Sequence, residues 1–167
     1  SMKKLEKILK SKAIIRFQDC DPFNHLNNAA YLNYFTNARE DQIKNYYDID
    51  IYTMAKESGI SWVVGSNQIA YINPALLMED IVIESQLLNY NSTSLFVELK
   101  MWNKNETKIK AVMWSNFVHF NLLKQKRVNH SNQIMKLFEE VHNTIVTKSF
   151  EKRVDFFKKK FRASNIQ

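Results

Sequence analysis

The hydrophobic pattern of this chain changes period twice, and the order of those changes restricts the architecture more than any single motif. From Lys12 to Asp19, Ala13, Ile15 and Phe17 alternate with Ile14, Arg16 and Gln18, the period of two expected of a strand. From Asn27 to Tyr47 the period becomes helical. Ala30, Tyr31, Tyr34, Phe35 and Ala38 make one aromatic-rich face, and Asn33, Asn37, Glu40, Asp41 and Lys44 cover the other. Asn27 or Asn28 is the expected N-cap, because an Asn side chain accepts from the first unpaired amides. After a less regular stretch over 52–59, period two returns in four runs: 61–73, 81–90, 93–103 and 108–120. The segments Asn89-Tyr90-Asn91-Ser92 and Asn103-Lys104-Asn105-Glu106 are short and polar, so the last three runs are expected to pair as antiparallel neighbours. One strand, one long helix, then a block of strands excludes a chain of βαβ units. It predicts an α+β domain whose antiparallel sheet wraps around the helix.

Two apolar stripes close the chain. Ile134, Leu137, Phe138, Val141 and Ile145 form the first, with Ser131 as its cap; Phe150, Val154, Phe157 and Phe161 form the second. At 167 residues there is room for one ordinary domain. The expected division is a core domain over 2–147 and a basic helical extension over 148–167. Much of the formal charge of +7 sits in that extension, where Lys148, Lys152, Arg153, Lys158, Lys159, Lys160 and Arg162 face only Glu151 and Asp155. The rest is close to balanced and carries no helix-turn-helix, zinc-finger or RNP pattern, which argues against nucleic acid as a partner. For the extension, packing on the protein's own sheet is favoured over contact with an anionic membrane, since aromatics at core-like spacing pack inward while lysines snorkel outward. No apolar run approaches the roughly 20 residues of a membrane span and no signal-peptide core opens the chain, so the expected location is the cytoplasm. Ser1 ahead of Met2 reads as a remnant of tag removal. A single cysteine, Cys20, excludes an intramolecular disulfide and a multi-cysteine zinc site.

The chemistry concentrates between Arg16 and Arg39, where Asp19, Asp21 and His25 sit on a short loop leading from a strand directly into a helix. Unpaired amides at a helix start carry partial positive charge and stabilise a developing oxyanion; a neighbouring carboxylate attacks a carbonyl or activates water. That pairing suits acyl transfer. Taken alone, Asp21 before Pro22 also fits an ordinary turn aspartate. A Cys20–His25 nucleophilic dyad is a weaker reading, because neighbouring loop positions need not point together. A metal site built from Asp19, Asp21 and His25 is weaker still, with no further ligand at suitable spacing. His119, His130 and His142 are scattered and read as structural.

The stretch Asp19-Cys20-Asp21-Pro22-Phe23-Asn24-His25-Leu26-Asn27-Asn28-Ala29-Ala30-Tyr31-Leu32-Asn33-Tyr34-Phe35-Thr36-Asn37-Ala38-Arg39 resembles the active-site region of hotdog-fold acyl-CoA thioesterases of the 4-hydroxybenzoyl-CoA thioesterase type. Tyr71-Ile72-Asn73-Pro74, Glu79-Asp80 and Val118-His119-Phe120-Asn121 follow in the family's order, so the likeness covers most of 12–145. Asn24 stands where the family has glycine, and Thr36-Asn37 where acidic residues are common. The resemblance implies a hotdog fold and hydrolysis of an acyl-CoA to a free acid and CoA. It makes Asp21 the nucleophile or general base and places the oxyanion site at the amide near Asn28. His25 reads equally as a general acid or as a residue orienting the loop, and Asp19 as a brace. CoA enters as part of the substrate, and no retained cofactor or metal is implied. A homodimer or homotetramer is expected, because hotdog sheets pair edge to edge and form the acyl site between subunits. The alternative is a non-catalytic acyl-CoA-binding or regulatory hotdog protein; a 3-hydroxyacyl thioester dehydratase fits the loop less well.

Overall fold

A computed structural model of the chain describes residues 5–162, without the side chains of Phe161 and Arg162. The C-terminal end of the proposed extension and the aromatic ring of Phe161 therefore lie outside the described residues. In chain order the elements are β1 (Ile8–Ile14), a single 3₁₀ turn (Phe17–Asp19), α1 (Ala30–Tyr47), α2 (Ile51–Ser58), β2 (Ile60–Tyr71), β3 (Asp80–Tyr90), β4 (Ser94–Asn103), β5 (Ile109–Asn121), the two-residue β6 (Lys126–Arg127), α3 (Asn132–Val141) and α4 (Phe150–Arg162). The sheet runs β1-β3-β4-β5-β2, antiparallel throughout, with β6 paired to β5. It curls around α1, the α+β arrangement expected from the order of periods and the hotdog fold that the resemblance implied.

Several boundaries move. The first strand lies earlier than the alternation suggested, at 8–14, because residues 17–19 wind into the 3₁₀ turn that launches the loop. The less regular stretch is a helix, α2: Asp50 caps it by accepting from the Tyr52 and Thr53 amides, and Gly59 ends it at φ +71°. The long helix begins at Ala30, behind Ala29, whose side chain makes no capping bond. Ser131 caps α3 as expected, accepting from the Ile134 amide, although that helix stops at Val141, short of Ile145.

Both faces of the sheet are covered. On the concave face Ile81, Ile83, Leu87, Val97, Leu99, Met101, Ala111 and Met113 pack with Tyr31 and Phe35 of α1 and with Phe138 and Val141 of α3. On the convex face Val154 and Phe157 of α4 pack on Val82, Trp102, Ile109 and Val112. Burying these two α4 side chains contributes about 1.5 to 3 kcal/mol each. The described part of the extension thus docks on its own sheet through Val154 and Phe157, and no described helix is long and apolar enough to cross a membrane.

Of the three register shifts in the sheet, one falls in β3–β4 between Leu87 and Asn89, and the other two decide which residues of β5 and β2 face which side. The β4–β5 register shifts between Met101 and Trp102, and this places Ile109 with the convex cluster, opposite to the side assigned by simple alternation with Ala111. In β2 the shift falls at Gly65, where a Cβ would stand 3.2 Å from Asn116 Oδ1. The bulge lets Trp62 and Val64 before it face inward together with Ile69 after it.

Candidate active site

The loop between β1 and α1 is closed by its own backbone. Cys20 bridges Leu26, His25 bridges Leu76, and Asp21 N donates to His25 O at 2.8 Å. The turn needs a left-handed residue at its tip, and Asn24 supplies it at φ +61°. Asn reaches this region more readily than most residues, so it fills the position held by glycine in the related pattern.

That turn sets the Asp21 carboxylate. Its Oδ1 accepts from the amides of Phe23 (2.9 Å) and His25 (3.1 Å), while Oδ2 has no hydrogen-bond partner among the described residues. One oxygen anchors the group and the other is unclaimed. The His25 imidazole holds no hydrogen bond among the described residues, so His25 orders the loop through its backbone.

Asp19 ties the loop to the helix start. Its carbonyl accepts from Asn27 N at 2.9 Å, and its carboxylate takes the Tyr34 hydroxyl at 2.6 Å. Burial, then that bond, raises the Tyr34 pKa, so the phenol stays a proton donor to Asp19. Neither Asn27 nor Asn28 is the N-cap, a position held by Ala29; Asn27, two residues ahead of it, makes a local turn instead, its Oδ1 accepting from Ala29 N and its carbonyl from Ala30 N. Asn28 lies between them. Its carbonyl accepts from the Tyr71 hydroxyl at 3.0 Å, while its amide has no acceptor among the described residues. The amide is exposed and unclaimed at the positive end of an 18-residue helix, where negative charge is favoured.

Asp21, His25 and Asn28 are thus gathered on one loop and one helix start. Cys20 does not join them as a nucleophile: its thiol bonds to Arg16 O, and burial followed by the charges of Asp19 and Asp21 raises its pKa, holding it protonated. No group of three His, Cys, Asp or Glu residues with metal-site geometry occurs among the described residues.

Sequence reasoning missed Tyr71 as the residue gripping Asn28, because the contact joins residues 43 positions apart. It also missed a cavity. About 160 Å³ of space lies between α1 and the concave face, walled by Phe35, Trp62, Leu95, Met113, Phe117 and Phe138, with Arg39 also on its lining. Phe35 stands about 7.5 Å along the helix axis from Ala30, so the cavity begins a turn and a half beyond the helix start.

The family model described as the thioesterase-like superfamily matches residues 15–142. Long-chain acyl-CoA thioesterase FadM of Escherichia coli K12 is 28% identical over 127 residues, covering 76% of this chain and 94% of that protein. Among solved structures, the probable thioesterase YbaW of Escherichia coli superposes with a TM-score of 0.68 at 26% identity, covering 81% of this chain and 99% of that one. The 1,4-dihydroxy-2-naphthoyl-CoA thioesterase Slr0204 of Synechocystis reaches a TM-score of 0.73 at 9% identity, over 80% of this chain and 97% of that one, and so shares the fold.

Proposed function

The chain belongs to the thioesterase-like superfamily, and from that membership we propose that it hydrolyses an acyl-CoA to the free acid and CoA. The observation that carries this reading is the pairing of a half-anchored Asp21 carboxylate with the unclaimed Asn28 amide on the same loop-to-helix turn. The thioester carbonyl oxygen docks on the Asn28 amide, whose partial charge grows in value as the oxygen becomes anionic. Asp21 Oδ2 then acts in one of two ways. As a general base it takes a proton from water while the water oxygen bonds to the carbonyl carbon. As a nucleophile it forms an acyl anhydride that water later opens. In both, the C–S bond breaks and CoA leaves as a thiolate that acquires a proton. His25, with an unengaged imidazole, is the proposed donor of that proton. The cavity beneath α1 is the proposed acyl pocket. Its volume is close to the roughly 150 Å³ that holds a benzene ring in an engineered core, which favours a compact acyl group.

We further propose that the protein works as a homodimer or homotetramer. Phe17 and Phe23 beside the site are 77% and 78% exposed, two large apolar side chains that a partner subunit would cover.

Release of free thiol from a panel of acyl-CoAs tests the activity, and absence of release from every member overturns it. Asp21→Asn keeps size and hydrogen bonding but removes the attacking charge. It is expected to lower kcat by about 100-fold or more, with acyl-CoA binding retained. Parental kcat in Asp21→Asn overturns the role given to this carboxylate; binding without turnover in the parent chain supports the non-catalytic alternative.

A further inference from the structure

Arg39 is a half-buried cation with an unusual set of partners for this molecule. The other cations drawn into the interior each meet a carboxylate: Arg153 meets Glu98, Lys100 meets Glu84 and Lys110 meets Glu79. Among the described residues Arg39 meets none. Its one hydrogen bond runs from Nη1 to Ser85 Oγ at 2.8 Å. Ser85 is fully buried and passes its own proton to Gln42 Oε1, and the Gln42 amide nitrogen donates to Ser11 Oγ and Ile83 O. This neutral chain fixes the guanidinium in position but neutralises nothing. A guanidinium has five N–H donors in a planar fork, and most remain unclaimed.

Desolvating a guanidinium without a counter-charge is costly, and the cost falls when an acceptor oxygen arrives. Burial lowers the Arg39 pKa to about 10, so it stays charged at neutral pH while held in an environment that disfavours charge. The residue lines the cavity assigned to the acyl group, whose other walls are mostly aromatic and aliphatic; Thr36 and Glu40 also line it, but the Glu40 carboxylate takes the Tyr52 hydroxyl at 2.8 Å and makes no ion pair with Arg39. A plain hydrocarbon in that cavity covers the fork and leaves its donors unsatisfied.

We infer that the pocket beneath α1 selects acyl groups bearing an acceptor oxygen at their far end, a carboxylate or a hydroxyl, and that Arg39 reads that oxygen. This rests on the acyl-CoA hydrolysis proposed above. The oxygen receives one or two N–H bonds from the fork, Ser85 holds the fork still, and the apolar walls hold the carbons between.

The test compares thioesters of equal length on the full chain: octanoyl-CoA, ω-hydroxyoctanoyl-CoA and suberoyl-CoA, with hexanoyl-CoA and adipoyl-CoA as a shorter pair. At one length at least, an oxygenated member is expected to exceed the plain one in kcat/KM by about 10-fold or more, because a buried donor left unpaired penalises the analogue lacking the oxygen. Whether the carboxylate or the hydroxyl wins identifies the preferred source. Arg39→Met, similar in length but without donors, is expected to bring the ratio to about one. Should that variant fail to fold, melting of the parent chain with suberate against octanoate gives the second reading, with suberate expected to stabilise more. Equal or faster cleavage of the plain thioesters at both lengths overturns the inference and leaves the thioesterase reading intact. An unchanged ratio in a folded Arg39→Met does the same. No thiol release from any thioester overturns both.

Discussion

The two faces of the sheet are buried by different physics. The concave face is apolar, packs against α1 and α3, and keeps a cavity in which one cation, Arg39, is matched only by a hydroxyl. The convex face carries Glu84, Gln86, Glu98, Lys100, Lys110 and Trp114, all buried, and leaves none of its acids unmatched. Glu98, with no exposed surface, accepts two bonds from Arg153 (2.7 and 2.8 Å), one from the Trp114 indole and one from Gln86. Burial alone raises its pKa, but these donors and Lys100 outweigh burial and hold the carboxyl below its usual range. Where charge is fully matched, the surface is closed as structure. Where it is not, a cavity remains.

The largest expected effect breaks the convex match. Arg153→Ala strands the Glu98 carboxylate under α4, and removing one member of such a pair costs about 3 to 5 kcal/mol. Urea or guanidinium unfolding measures it. Arg153→Met combined with Glu98→Leu is expected to recover most of the loss, since an apolar pair needs no match. Failure of the double variant to recover stability contradicts the account of α4 as held by that pair.

The concave side is probed by acid. At its rim, Trp62 Nε1 donates to His130 Nε2, His130 Nδ1 faces Asn91 O, and the His119 ring stacks 4.7 Å from it. Burial, outweighing the Asn91 bond, lowers the His130 pKa from 6.5 to about 4, with His119 adding to the shift. The folded state therefore binds fewer protons than the unfolded one between those values. The contribution of neutral His130 is complete above pH 6.5 and declines as pH falls toward 4, by at most about 3 kcal/mol in all. His130→Gln is expected to flatten the dependence of unfolding free energy on pH in that window. A slope unaltered by the substitution contradicts it.

The smallest effect lies on the outer side of α4. Phe156 is 44% exposed and stands outside the convex cluster of Val154 and Phe157, with its ring 5.4 Å from that of Phe157 and under the Arg153 guanidinium. Phe156→Ser is expected to change stability by no more than about 0.5 kcal/mol in the same unfolding experiment. A loss of several kcal/mol there would mean that α4 is clamped on two sides and that the convex face is not its only seat.

The succession of periods determined the α+β class, the long helix and the antiparallel pairing of β3, β4 and β5, because periodicity is a property of neighbouring residues. The run from Asp19 to Arg39 likewise pointed to the loop that gathers Asp21, His25 and Asn28. Alternation could not reveal the bulges at Gly65 and beside Trp102, since a bulge is defined by the partner strand as much as by its own residues. Nor could it show that the polar side of β3 and β4 is covered, because Glu98 and Lys100 read as solvent-facing until α4 is folded back over them from 55 positions away. The same holds for Arg39. Its place in a helical pattern was plain from sequence, but its lack of a carboxylate and its position on a cavity wall depend on which strands arrive opposite the helix, and only long-range packing decides that.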